Sequence, residues 1–225
     1  MKLAIFDFDG TIFPFETLPF LFKQWKQQKK SKTRYWKSFF TFMPVYLLYR
    51  LKIISSERMR EKALTEFATL FKGMKIEEIK DFFERAYRVM KLKADPNLIR
   101  EIEKCRGEGY CLILISGALK PIIEIAANDL GFEHAVGTEL KLVNNIFCFD
   151  KPLEYIQGEV KVIRLVKDYA DKEIDWEGSC AYADSFSDLS LLELVGNPIA
   201  VRPDGELLEV ARDRGWKIIG QRQTS

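Results

Sequence analysis

The chain has 225 residues and is 47% hydrophobic, enough apolar side chain for one large domain or a domain carrying an insert. Lys plus Arg total 35 against 33 Asp plus Glu, so the formal charge of +2 gives no global footprint for nucleic acid and any basic surface must be local. The four cysteines, Cys105, Cys111, Cys148 and Cys180, form no CxxC pair. That argues against a zinc site or disulfide framework and reads as small buried side chains in a reducing cytoplasm.

In chain order, "LAIF" (3–6) is predicted as a buried strand that ends on Asp7 and Asp9. Those two acids fall where a secretory leader would need its apolar core, which again points to a cytoplasmic location. From about Glu16 to Leu92 the patterns are all helical, although a crossover between parallel strands needs only about a dozen residues. An insert is therefore expected after the first strand.

Within it, Lys23 to Lys37 carries seven basic residues, no acid, and Trp25, Tyr35 and Trp36. This reads as the solvated face of a cap helix with its aromatics packed inside; the alternative is contact with an anionic lipid surface or polyanion. The adjoining "SFFTFMPVYLLYRL" is shorter than the roughly 18 to 20 residues of a membrane helix and contains Pro44, so it reads as cap core. "SSERMREKALTEFATLFKGM" and "KIEEIKDFFERAYRVMKL" complete the helical insert, the former capped by Ser55 or Ser56.

"DPNLIREIEKCRGEGY" is a helix with Asp95 as N-cap, Pro96 at its first position, and Gly107 and Gly109 at its end, feeding the strand "CLILIS" (111–116). Helical periods return in "GALKPIIEIAANDLGF" and "GEVKVIRLVKDYADKE". "AVGTELKLVNNIFCFD" between them alternates around Asn144 and Asn145 and reads as a hairpin flap on the sheet edge. "CAYA" (180–183), "PIAV" (198–201) and the short "WKII" (216–219) are further strands. The alternation predicts an α/β fold, a doubly wound parallel-sheet, Rossmann-like core made of 1–15 and 92–225, with a helical cap domain at 16–91.

In such a sheet, ligands sit beyond the carboxyl ends of the strands. Asp7 and Asp9, then Ser116 and Gly117, then Lys161 at a helix start, then Asp184, Ser185 and Asp188 all face that crevice. Three or four carboxylates there repel one another without a cation, and oxygen donors suit Mg2+. Ser116, the Gly117 N–H at a helix N-terminus and the Lys161 ammonium form a donor set for a phosphoryl dianion. One carboxylate can then attack phosphorus while its neighbour moves the proton. A calcium loop beginning at Asp7 is excluded, because Ile12 and Leu18 stand where it needs Gly and Glu. His134, the lone histidine, reads as a surface or edge residue.

"DFDGT", "ISGA", the lysine of "GEVKVIRL" and "ADSFSDLSLLELVGNPIAVRPDGELLEVARDRGW" resemble the four motifs of the haloacid dehalogenase superfamily, in its phosphoserine-phosphatase-like branch. The resemblance implies a helical cap after the first strand and a Mg2+-dependent phosphomonoester phosphatase with a phospho-aspartate intermediate. Asp7 is then the nucleophile and Asp9 the acid and base. Asp7, the Asp9 carbonyl and Asp184 would hold Mg2+, supported by Asp188. Thr11, Ser116, Gly117 and Lys161 would serve the phosphoryl group, and Glu16, nine residues after Asp7, would read a substrate amino group. The metal motif is "ADSFSD" where phosphoserine phosphatases carry "GDGxND", and the C-terminal stretch is closer to branch members that include phospholipid head-group phosphatases. A small phosphorylated substrate, phosphoserine-like or a lipid head group, is expected. A phosphomutase and a phospho-accepting signalling module are the alternatives, the latter having no use for Asp9.

Overall fold

The structure, a computed structural model, describes residues 1–149 and 152–221. Strand β1 (Leu3–Asp7) leads into four helices, α1 (Thr17–Gln27), α2 (Lys32–Arg50), α3 (Ser56–Thr69) and α4 (Ile76–Met90), before α5 (Pro96–Gly107) and β2 (Cys111–Leu119). There follow α6 (Lys120–Leu130), β3 (His134–Thr138), β4 (Leu142–Val143), β5 (Ile146–Phe147), α7 (Glu159–Asp168) and β6 (Cys180–Ala183). The chain closes with α8 (Leu189–Glu193), β7 (Asn197–Val201), α9 (Gly205–Asp213) and β8 (Lys217–Ile219).

Six strands form a parallel sheet in the order β3-β2-β1-β6-β7-β8. The chain winds from β1 outward to β3, then returns to the other side of β1, so the switch point lies between β1 and β6. Both faces are covered, which explains the unbroken apolar runs. Ala4, Phe6, Leu112, Leu114 and Tyr182 pack with Leu98 and Ile102 of α5 and Ile122 and Ile123 of α6. Leu3, Ile5, Ile113, Ile115 and Ala181 pack with Leu165, Leu191 and Leu207 of α7, α8 and α9. Strand alternation gives Asp7 the parity of Leu3 and Ile5, so its side chain points towards α7.

Helices α1 to α4 enclose an aromatic nucleus of Trp25, Phe67, Phe71, Phe82 and Phe83, with Trp25 edge-on to Phe71 at 5.4 Å between centroids. This nucleus is continuous with the upper sheet core, Tyr87 meeting Phe13 edge-on. Ser55 and Asp95 cap α3 and α5 through their side chains, as their sequence positions predict.

Three expectations are corrected. First, the segment read wholly as a hairpin begins with β3, the sixth strand of the main sheet, paired with β2 from Ile113↔His134. The hairpin proper is β4–β5, whose turn places Asn144 and Asn145 at φ 50° and 63°, the type I′ geometry that asparagine tolerates. It also clasps the α3–α4 connection: Phe147 N–H donates to Met74 O at 3.0 Å, Gly73 N–H to Phe147 O at 2.9 Å, and Ile76 N–H to Asn145 O at 2.9 Å. Asp150, the last residue of that hairpin reading, and 222–225 of the expected core segment lie outside the described residues.

Second, α2 is not cap core. Ser38 is its one buried residue, and Phe40, Leu47 and Leu48 are exposed together with Leu51 and Ile53 just beyond it. α2 packs chiefly on α3 and more lightly on α1. In the basic stretch Trp25 is buried and Tyr35 half-buried, but Trp36 is 49% exposed.

Third, Gly117 does not stand at a helix N-terminus. β2 runs on to Leu119, paired with Thr138 across a bulge, and α6 starts at Lys120. The Thr138 hydroxyl donates to Gly117 O at 2.8 Å and keeps the strand extended there.

His134 is exposed on the edge strand with its ring against Tyr169. Among the described residues no helix is long and apolar enough to cross a membrane.

Candidate functional site

A cavity of about 570 Å3 opens above the carboxyl ends of β1, β2 and β6, and α1 to α3 form its roof. Of the nine candidate residues, Asp7, Asp9, Glu16, Ser116, Gly117, Lys161, Asp184 and Asp188 line it. Thr11 lies buried behind Asp7, its hydroxyl donating to Asp7 Oδ2 at 3.2 Å.

Each position has a local cause. Gly10, at φ 71°, turns the chain sharply after β1, and a Cβ there would run into the Asp184 carboxylate. Gly117 allows residues 155–156 to close over β2, since a Cβ would come within 2.9 Å of the Tyr155 ring. The Ser116 hydroxyl accepts from Ala118 N–H at 3.1 Å, which holds the bulge of β2. Lys161 is the third residue of α7 and is buried; its Nζ lies 2.6 Å from Asp7 Oδ1 and 2.8 Å from Asp188 Oδ1. Asp9 reaches the start of α1, where its Oδ1 accepts from Thr17 N–H at 3.0 Å and from the Thr17 hydroxyl. The carboxylate thereby serves the first orphan N–H of the helix, a task that the N-cap residue Glu16 leaves undone.

The electrostatics separate the two neighbouring acids. Burial pushes Asp7 up to about 6, with Lys161 pulling against it and Asp188 adding to it. Asp9 is pushed up to about 8 by burial and by the Glu16 carboxylate. Burial opposes the Lys161 charge, but Asp188 and Asp7 outweigh it and hold the ammonium above the ordinary lysine range.

Asp7, Asp184 and Asp188 bring carboxylate oxygens within 4.8 Å of one another, all three buried. Carboxylates gathered this closely beside a bound phosphoryl dianion favour a cation at their centre. The all-oxygen donor set therefore fits a hard divalent cation of the Mg2+ kind.

Four participants carry no signal in the sequence. Thr17 carries no motif and matters only because the chain folds α1 back onto Asp9. Arg60, on α3, lines the cavity and pairs with Glu16 at 3.5 Å. Tyr155, on the loop before α7, sits over Gly117, its phenol raised by burial. Arg60 stands 51 residues after Asp9 and Tyr155 stands 29 before Asp184, neither within a recognisable pattern, so only the fold brings them in. Arg202 was also missed; its guanidinium donates to Gly10 O at 2.8 Å and to Thr11 O, and pairs with Asp95, tying the turn after β1 to the start of α5.

Residues 4–193 match the family model for haloacid dehalogenase-like hydrolases. The phosphoserine phosphatase SerB1 of Mycobacterium tuberculosis (strain ATCC 25618 / H37Rv) is 33% identical over 111 residues, 49% of this chain and 36% of its own length. In four curated relatives the matched stretch covers 36% to 63% of their length, less than two thirds in each. Among solved structures, a protein of unknown function from Bordetella pertussis Tohama I superposes with a TM-score of 0.79 at 22% identity, over 97% of this chain and 98% of that one. A substrate-bound phosphoserine phosphatase superposes with a TM-score of 0.64 at 19% identity, over 99% and 94%. These two likenesses concern the fold.

Proposed function

The chain belongs to the haloacid dehalogenase-like hydrolase family, and we propose that within it the protein is a Mg2+-dependent phosphomonoester phosphatase working through a phospho-aspartate on Asp7. The observation that carries this reading is the placement of Asp7 and Asp9 together at the carboxyl end of β1, the buried Asp7 with the Lys161 ammonium 2.6 Å away and a carboxyl at about 6, the half-buried Asp9 held on Thr17 with a carboxyl at about 8. At neutral pH the first is mostly ionised and fit to attack, while the second keeps a proton to give.

In the first transfer an Asp7 oxygen forms a bond to phosphorus, the ester P–O bond breaks in line, and the Asp9 proton passes to the leaving alkoxide. In the second, Asp9 takes a proton from water, the water oxygen attacks phosphorus, and inorganic phosphate leaves as the Asp7 carboxylate is restored. Lys161 and Ser116 orient the phosphoryl oxygens, and Thr11 fixes the Asp7 rotamer. Asp7, Asp184 and the Asp9 carbonyl would hold Mg2+, with Asp188 steadying Lys161; the ion supplies neutralisation of charge on the phosphoryl group. The insert, residues 16–91, serves as the cap that excludes bulk water.

Glu16 and Arg60 at the cavity rim are opposite charges that a small zwitterion such as phosphoserine could bridge, and a phosphorylated lipid head group is the other substrate in view. The direct test is phosphate release from a panel of phosphomonoesters with Mg2+. Asp7→Asn is expected to lower kcat by at least about a thousandfold; equal activity in the variant would remove Asp7 from this role.

A further inference from the structure

We infer that the substrate is a phosphate monoester with a long apolar body, its phosphate at Ser116 and Lys161 and its chain laid along α2. This deepens the phosphatase reading and rests on it. The supporting feature is the cavity wall opposite the carboxylates. Tyr35, Phe39, Phe42, Tyr46 and Tyr49 all line the cavity. Their spacing of 4, 3, 4 and 3 residues places them in one stripe on α2, over a span of about 21 Å of helix axis. Met59 of α3 faces the same space.

A head group the size of phosphoserine is polar throughout and has no apolar part to set against that stripe. Four of the five stripe residues are half-buried and Tyr46 is exposed, so without an apolar occupant part of this aromatic surface faces water. A cavity of about 570 Å3 lined both by a charged cluster and by such an aromatic wall matches the form of sites for amphiphilic ligands. α2 carries Phe40, Leu47 and Leu48 on its outer side as well, so a chain longer than the cavity emerges onto apolar surface. The stripe also explains why the segment from Phe39 to Tyr49 is apolar without being core.

The test is a series of n-alkyl phosphates, ethyl to dodecyl, kept below micelle-forming concentrations, and in parallel dodecyl phosphate in phosphatidylcholine vesicles. kcat/KM is expected to rise about fourfold per methylene until the stripe is covered. Preference for dispersed dodecyl phosphate assigns a freely diffusing amphiphile as the source, and preference for the vesicle form assigns a bilayer; both support the chain site. Calorimetric titration with the non-hydrolysable dodecylphosphonate should show binding with a negative heat-capacity change that ethylphosphonate lacks. Phe42→Asp, in mid-stripe, should flatten the chain-length profile. Tyr46→Asp, nearer solvent, provides the same reading if Phe42→Asp does not fold.

Robust hydrolysis that is flat with chain length, together with chain-independent phosphonate binding, would overturn the inference and leave the phosphatase reading intact. If no phosphomonoester is hydrolysed but phosphonate binding still grows with chain length, the phosphatase reading falls and the apolar site stands.

Discussion

Asp9 shows how a single residue can be costly to the fold and useful to the chemistry. Its carboxyl rises from 3.8 to about 8 in the native protein, mainly by burial. The native state therefore favours the protonated form, and this contribution is complete below the unfolded value of 3.8 and lost as pH rises through about 8. In metal-free protein, Asp9→Asn keeps an oxygen for the Thr17 N–H and removes the charge. It is expected to raise stability at pH 8 by on the order of a few kcal/mol, the gain vanishing towards pH 4; urea denaturation at the two pH values measures this. Lys161 makes the opposite case. Lys161→Met leaves Asp7 and Asp188 buried without their counter-charge and should destabilise metal-free protein by about 3–5 kcal/mol. Added Mg2+ should restore part of that loss, and denaturation with and without the ion checks it. The motif residues were readable because Asp7, Ser116, Lys161 and Asp184 each follow or adjoin a strand or helix signal in the sequence. Thr17, Arg60, Tyr155 and Arg202 were not, because their roles come from distances across the fold.

At the scale of elements, the strands were legible where both faces are buried, since continuous runs such as "CLILIS" have no other home. β3 was not, because its sequence alternates into the hairpin that follows and only its pairing with β2 separates the two. α2 departs from its expected place for a physical reason: a core and a cavity wall demand the same apolar residues, and the sequence does not say which surface they face. The β4–β5 hairpin offers a test of its clasp on the α3–α4 connection. Asn144 and Asn145 hold positive φ, which alanine adopts at a cost of about 1 kcal/mol or more per residue. The double Asn→Ala variant should therefore lower the urea midpoint by the equivalent of about 2 kcal/mol with an unchanged m-value. It should also increase hydrogen exchange at Gly73 and Ile76, whose N–H groups donate to the hairpin. Unchanged exchange at those two amides would show that the clasp contributes nothing to holding the insert.

For the whole molecule, the sheet and the insert are joined by one apolar cluster running from Phe6 through Phe13 and Tyr87 to Phe82, so the insert has no core of its own to melt apart from the sheet. Thermal unfolding is expected as a single transition. The carboxylates lie at the seam between the two parts, where metal binding can act on all of it. A ligand that binds only the folded state adds about 2.7 kcal/mol at a hundredfold excess over Kd, which for a chain of this length corresponds to a rise in Tm of about 5–10 °C. Mg2+ should therefore shift the one transition upward as a whole. The shift should disappear in Asp184→Asn, which removes a carboxylate from the buried cluster, and persist in Asp9→Asn, because Asp9 would offer the ion its backbone carbonyl and not its side chain. Calorimetry of the three proteins with and without Mg2+ decides this. A full shift in Asp184→Asn would place the ion elsewhere, and two resolved transitions would show that the shared cluster does not couple insert to sheet.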